Sequence, residues 1–153
     1  MIIVLEGLPY SGKTTIGKLL ATALNFSFRS YPVNRDSIDS KSDIDFSMAV
    51  DMLTHPPDPL SSWVIENYWK SHCVYGGRFT KYLKDHLPPP DYTFYLDVSL
   101  GLSIERSKSQ EHLTFKQLNE LEFRYGQMVY TASIPTYYTP EEKVQRILAK
   151  IER

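Results

Sequence analysis

The chain has 153 residues, of which 42% are hydrophobic and 23% charged, with a formal net charge of −1. That length predicts one domain, residues 1–153, around a single core, and the mixed charge excludes the concentrated basic patch that a nucleic-acid duplex demands. No apolar run approaches the roughly 20 residues that span a bilayer, and the first residues lack the basic and apolar regions of a signal peptide, so a cytoplasmic protein without a membrane anchor is expected.

In chain order, "IIVLE" at 2–6 predicts a buried strand. Ile16, Leu19, Leu20, Ala23 and Leu24 then recur at helical spacing and predict an amphipathic helix from Lys13. "FSFRS" at 26–30 is a second strand, and Ser42, with Asp45 three residues on, opens a helix through Leu53. The prolines of "HPPDP" at 55–59 mark a connection into a third strand, "WVIEN" at 63–67, which one helix follows through about His86. "LPPPD" at 87–91 leads into a fourth strand, "TFYLDV" at 93–98, whose continuous apolar character suits a strand covered on both faces.

Ser99 caps the next helix, which carries "LSIER". Thr114 and Gln117 form a capping box for a helix striped by Leu118, Leu121, Tyr125 and Met128. "TASIPT" at 131–136 supplies a short fifth strand, and Thr139, Pro140 and Glu142 open a last helix with Val144, Ile147, Leu148 and Ile151 facing inward. Alternating strands and helices predict parallel strands joined by right-handed crossovers, hence a three-layer α/β fold with a sheet of about five strands. Ligands of such sheets sit beyond the carboxyl ends of the strands. Cys73 cannot form an internal disulfide and reads as a small buried side chain, while His55, His72, His86 and His112 show no metal-ligand spacing and read as surface residues.

The first strand–helix junction carries the chemistry. Gly7-Leu8-Pro9-Tyr10-Ser11-Gly12-Lys13-Thr14 matches the phosphate-binding loop pattern in full, after a strand and at the opening of a helix. Backbone amides of residues 9 to 14 and the helix N-terminus suit the β-phosphate of a nucleoside triphosphate. Lys13 suits the β- and γ-phosphates, the Thr14 hydroxyl suits Mg²⁺, and Thr15 the α-phosphate. No N-K-x-D guanine reader is present, so a GTPase is disfavoured, and the length fits a small phosphotransferase.

With that loop in place, the chain resembles the thymidylate kinase branch of the P-loop nucleoside and nucleotide kinases. Three stretches carry the likeness: "VLEGLPYSGKTT", "IENYWKSHCVYGG" at 65–77, and "PDYTFYLDVSLGLSIER" at 90–106. The resemblance implies a P-loop NTPase fold with ATP and Mg²⁺ as cofactors, a short lid at about 106–114, and a homodimer. It implies that Glu66 lies near Mg²⁺ and the acceptor, and that Arg106 closes over the transferring phosphoryl group, with Lys108 as a second cation. It also maps Ser71, Tyr75 and Phe46 to the acceptor side, with Phe46 stacking on a base.

The pattern breaks on that same side. Pro9 replaces a loop aspartate that contacts the sugar, Asn67 replaces the arginine that holds an acceptor phosphate, and Val50 stands where an arginine reads thymine. Arg29 is the foremost replacement cation, ahead of Arg35, Lys70 and Arg78, and Tyr68 and Trp69 sit where they could line the pocket or the core. Glutamate at 66 resembles the deoxynucleoside kinases, where it accepts the proton of a 5′-hydroxyl.

The expected set is therefore Lys13, Glu66 and Arg106 for catalysis, with Gly7, Pro9, Tyr10, Ser11, Gly12, Lys13, Thr14, Thr15 and Arg106 on ATP. Arg29, Phe46, Asn67, Tyr68, Ser71 and Tyr75 are expected on the acceptor, and Thr14 and Glu66 on the metal. A nucleoside monophosphate, foremost a deoxynucleotide, is the first expected acceptor. A deoxynucleoside 5′-hydroxyl is the alternative, and a nucleotide-binding module impaired in catalysis is the third reading.

Overall fold

In the computed structural model, residues 1–33, 44–107 and 113–151 are described, with the backbone alone at 44–48 and 107. Five parallel strands form one sheet in the order β2-β3-β1-β4-β5: β1 (Ile2–Glu6), β2 (Ser27–Ser30), β3 (Trp63–Glu66), β4 (Tyr92–Leu96) and β5 (Ala132–Ile134). Around it lie α1 (Lys13–Leu24), α2 (Ile44–Thr54), α3 (Trp69–Val74), α4 (Thr80–His86), α5 (Leu100–Ser107), α6 (Phe115–Gly126) and α7 (Pro140–Ile151). Among the described residues no helix is long and apolar enough to cross a membrane.

All five residues of β1 are buried, because the strand is central and both its faces are covered. Successive side chains of a strand point to opposite faces, and that alternation divides the core. Ile3 and Leu5 pack with Ile16 and Leu20 of α1, Val64 and Ile147. Ile2 and Val4 pack with Met52, Ile65, Tyr68 and Leu83 on the α2–α4 side. A third cluster, around Leu8, Val74, Tyr75, Leu118, Leu121 and Tyr125, closes the carboxyl end of the sheet with α6.

Sequence signals and structure agree closely at the starts of α6 and α7. The Gln117 amide donates to Thr114 Oγ1 at 3.2 Å, the Thr114 amide donates to Gln117 Oε1 at 2.9 Å, and the Glu142 amide donates to Thr139 Oγ1 at 3.2 Å. The start expected at Ser42 lies outside the described residues.

One helix expected after β3 is instead two. α3 ends at Val74, Gly76 turns with φ 91°, and α4 begins only at Thr80. Gly77 lies hard against the His72 ring, where a Cβ would come within 2.1 Å of the imidazole. His72, expected at the surface, is wholly buried, with its ring 6.4 Å from that of Phe79. Cys73, expected to be buried, is half-exposed.

Candidate active site

The loop between β1 and α1 takes its shape from a few backbone positions. Gly7 has φ 152°, and a Cβ there would approach the Leu96 carbonyl oxygen to 2.7 Å, so β4 leaves room for glycine alone. Gly12, at φ 91°, caps α1, and Tyr10 takes φ 66° without being glycine, a cost on the order of 1 kcal/mol that surrounding contacts must hold in place. Two donors from α5 do so. Ser103, fully buried, donates to the Pro9 carbonyl at 2.9 Å, and Arg106 donates to the Tyr10 carbonyl at 2.6 Å. With both carbonyls turned toward α5, the loop is fixed from its outer side.

Lys13 is buried, with Nζ donating to the Gly7 and Leu8 carbonyls at 2.8 and 2.7 Å and to Ser11 Oγ at 3.3 Å. Those acceptors are neutral, so a phosphate anion would compete for the ammonium with stronger, charge-assisted bonds. Thr14 Oγ1 lies 2.8 Å from both carboxylate oxygens of Glu66, and Ser30 Oγ donates to Glu66 Oε1 at 2.6 Å. Strand parity explains the meeting: Glu66 shares the α1 side of the sheet with Val64, and Ser30, its partner in register, shares that side with Phe28.

A cavity of about 420 Å³ opens here, lined by Pro9, Tyr10, Gly12, Lys13, Thr14, Thr15, Val33, Glu66, Asn67 and Tyr75. It thus gathers most of the expected set. Gly7 and Ser11 lie at the foot of the loop beside Lys13 Nζ, and Arg106 meets the loop at Tyr10. The Thr14 hydroxyl and the Glu66 carboxylate form a hard oxygen donor set of the kind Mg²⁺ takes together with phosphate oxygens and water. No cluster of three or more His, Cys, Asp or Glu occurs among the described residues, so the arrangement is not a protein-only metal cage.

Three expected acceptor residues stand elsewhere. Arg29 points to the α2 side of β2, the opposite side from Ser30, and donates to the His55 carbonyl at 2.7 Å while its guanidinium lies 4.5 Å from the Trp63 ring centroid. Tyr68 is buried in the core, its hydroxyl donating to the Pro88 carbonyl at 2.8 Å. Ser71 is fully buried and donates to Glu6 Oε2. Lys70, a further candidate, donates to the Val129 carbonyl beside the Tyr130 ring. The side chain of Phe46, together with Arg35, Lys108 and most of the expected lid, lies outside the described residues.

Two residues near the site escaped sequence reasoning. Ser30 gave no motif, and only the β2–β3 register brings it to Glu66. Glu6 ends the strand expected to be buried and has no role in the sequence pattern; it lies wholly buried under the loop. Its Oε1 accepts from the Tyr68 amide at 3.1 Å, and Ser71 Oγ, bonded to its other oxygen, stands 2.9 Å from the Tyr125 hydroxyl. Burial raises the Glu6 carboxyl to about 7, against the opposing pull of Ser71, the Tyr68 amide, Lys13 and Lys70. Burial likewise pushes the Tyr125 hydroxyl well above the usual phenol range.

No protein-family model matches the sequence, nor does any curated protein. Solved structures do match. Deoxyadenosine kinase from M. mycoides with bound dATP superposes with a TM-score of 0.72 at 16% identity over 100% of both chains. Thymidylate kinase from Candida albicans gives 0.71 at 15% identity, over 99% of this chain and 90% of that one. Shikimate kinase from Aquifex aeolicus gives 0.62 at 20% identity, over 99% and 96%. The chain has the P-loop nucleotide and nucleoside kinase fold. Within that kinase fold the phosphate-binding loop, the end of β3 and α5 meet at the carboxyl edge of the sheet, where doubly wound sheets hold their ligands.

Proposed function

We propose that this protein is an ATP- and Mg²⁺-dependent kinase that phosphorylates a small-molecule hydroxyl, with the 5′-hydroxyl of a deoxynucleoside as first candidate. The observation that carries the reading is Glu66: a carboxylate at the end of a central strand, held by Thr14 and Ser30, on the wall of the cavity that the phosphate loop opens into. A hydroxyl nucleophile benefits from a base, whereas a monophosphate oxygen is already anionic and needs cations. Arg29 and Lys70, two cations considered for such a phosphate, are engaged on main-chain carbonyls outside the cavity wall. Hence the order of the two acceptor classes expected from sequence is reversed here.

Lys13 leaves its carbonyl partners to pair with the β- and γ-phosphates, and the loop amides receive the β-phosphate. Thr14 and Glu66 would hold Mg²⁺, which supplies neutralisation of charge on the phosphate oxygens. Glu66 takes the acceptor proton as the acceptor oxygen bonds to the γ-phosphorus and the bond to the bridging oxygen of ADP breaks. Arg106, already at the loop, adds positive charge on the side of the leaving group.

A monophosphate acceptor remains the second reading, favoured by Tyr75, which lines the cavity at the position that the thymidylate kinase pattern assigns to the acceptor side. Incubating the protein with MgATP and a panel of deoxynucleosides, nucleosides and their monophosphates, and measuring ADP and phosphorylated product, tests both. Product from nucleosides supports the proposal, and product from monophosphates alone supports the second reading. ATP binding without product from any member refutes the deoxynucleoside and monophosphate acceptors alike and favours a binding module.

A further inference from the structure

Glu6 takes no part in the chemistry just described, yet its partners converge from several elements. As the sixth residue it shares the α2–α4 side of the sheet with Ile2 and Val4, so its carboxylate enters the layer below the loop and not the cavity. There it meets the one stretch of main chain that leaves β3 by an unusual route. Asn67 follows Glu66 with φ 60°, the left-handed region, and Tyr68 then caps α3 without any side-chain cap of its own.

Few bonds hold that turn. The Asn67 amide donates to the Leu5 carbonyl at 3.3 Å, Asn67 Nδ2 donates to the Tyr31 carbonyl at 3.3 Å, and the Tyr68 amide donates to Glu6 at 3.1 Å. Ser71, one turn into α3, donates to the other Glu6 oxygen. A hydroxyl has one proton, so Ser71 then accepts from Tyr125, which stands 2.9 Å away on α6. With Glu6 ionised, the result is a directed chain, Tyr125 to Ser71 to Glu6, sealed from water, since all three residues are fully buried.

We propose that Glu6 is a positioning residue for phosphoryl transfer: it holds the Asn67–Tyr68 turn that aims Glu66 at Thr14, and through Ser71 and Tyr125 it ties that turn to α6. The proposal rests on the kinase reading above. An apolar side chain at position 6 would suit the neighbouring core, but it would leave a buried amide without its acceptor. A carboxylate satisfies two donors of one turn at once, which accounts for its place under a phosphate-binding loop.

The test compares wild type with E6L, E6Q, S71A and Y125F, using the acceptor found in the panel. Y125F removes one buried hydroxyl and keeps the ring. It should lower kcat about tenfold with the KM for ATP within about twofold. E6Q, whose carbonyl still accepts from Tyr68, should recover most of the kcat lost in E6L. Amide exchange read by NMR supplies a second measure: the Tyr68 amide should exchange faster in E6L, S71A and Y125F while the Leu20 amide of α1 keeps its rate. A kcat that falls only in step with the folded fraction, or Tyr68 exchange unchanged in the variants, overturns the proposal. Should E6L fail to fold, S71A and Y125F decide. If wild type phosphorylates nothing, the kinase reading has failed, and Tyr68 exchange alone decides whether Glu6 holds the turn.

Discussion

Replacing Glu6 with glutamine tests how the protein's stability is linked to pH. Burial lifts this carboxyl from 4.5 to about 7, so between those values the folded chain keeps a proton that the unfolded chain has released. Stability therefore falls as pH rises through that window, at about 1.4 kcal/mol per pH unit for one proton. The contribution is fully present below pH 4.5 and is lost by the time pH passes about 7, a total of about 3 kcal/mol. Glutamine mimics the protonated acid at every pH and removes this group's part of the slope. Urea unfolding of wild type and E6Q from pH 4.5 to 8 measures the difference between two curves in which all other titrating groups cancel. With m near 2 kcal/mol/M, the gap in midpoint should widen by about 1 to 2 M across the range, E6Q being favoured at the alkaline end. Parallel curves would refute the reasoning, because they would mean that Glu6 is as comfortable ionised in the fold as in water.

Three further outcomes are expected. Lys13→Ala should lower kcat by at least about a hundredfold and, through the loss of its buried hydrogen bonds, lower the melting temperature by only a few degrees, and wild-type turnover in this variant would remove the phosphate assignment. Glu66→Gln should cost a hydroxyl acceptor about a hundredfold or more and a monophosphate acceptor far less, as seen by comparing product formation from each. Gly17→Ala in α1 should destabilise despite a gain of about 1 kcal/mol in helix propensity, since the new Cβ would lie 2.5 Å from the half-buried Phe28 ring. A net loss of about 1 kcal/mol is expected, lowering the melting temperature by a few degrees in a calorimetric scan.

The phosphate loop was legible because its information is local: two glycines, a lysine and a threonine at fixed spacing between a strand and a helix. The five strands and the Thr114–Gln117 capping box were legible for the same reason, their signals lying within a few residues of the structure they specify. What local pattern does not carry is which side of the sheet a given strand residue faces relative to the site. Arg29 and Ser30 are adjacent, and the arginine was the more attractive candidate by charge, yet alternation sends Arg29 to α2 and Ser30 to Glu66. Ser71 was placed on the acceptor by motif register, while its role in the fold depends on Glu6, 65 residues away in the chain. The break between α3 and α4 rests on Gly76 and Gly77: a left-handed glycine followed by one packed against the buried His72 imidazole ends the helix, and that contact is made only in the folded chain.

The central place of β1 also sets the order in which this protein can form. β1 precedes both of its partners in the sequence: Trp63–Glu66 and Tyr92–Leu96 come about sixty and ninety residues later. Closing those loops costs chain entropy before any pairing rewards it, so folding should be slow for a chain of this size. Until β4 emerges, the most apolar strand of the sheet has an open edge, and the loop that follows it has no Leu96 carbonyl to pack Gly7 against. The phosphate-binding loop, which precedes β3 and β4 in sequence, should therefore take its final shape only after β4 has paired.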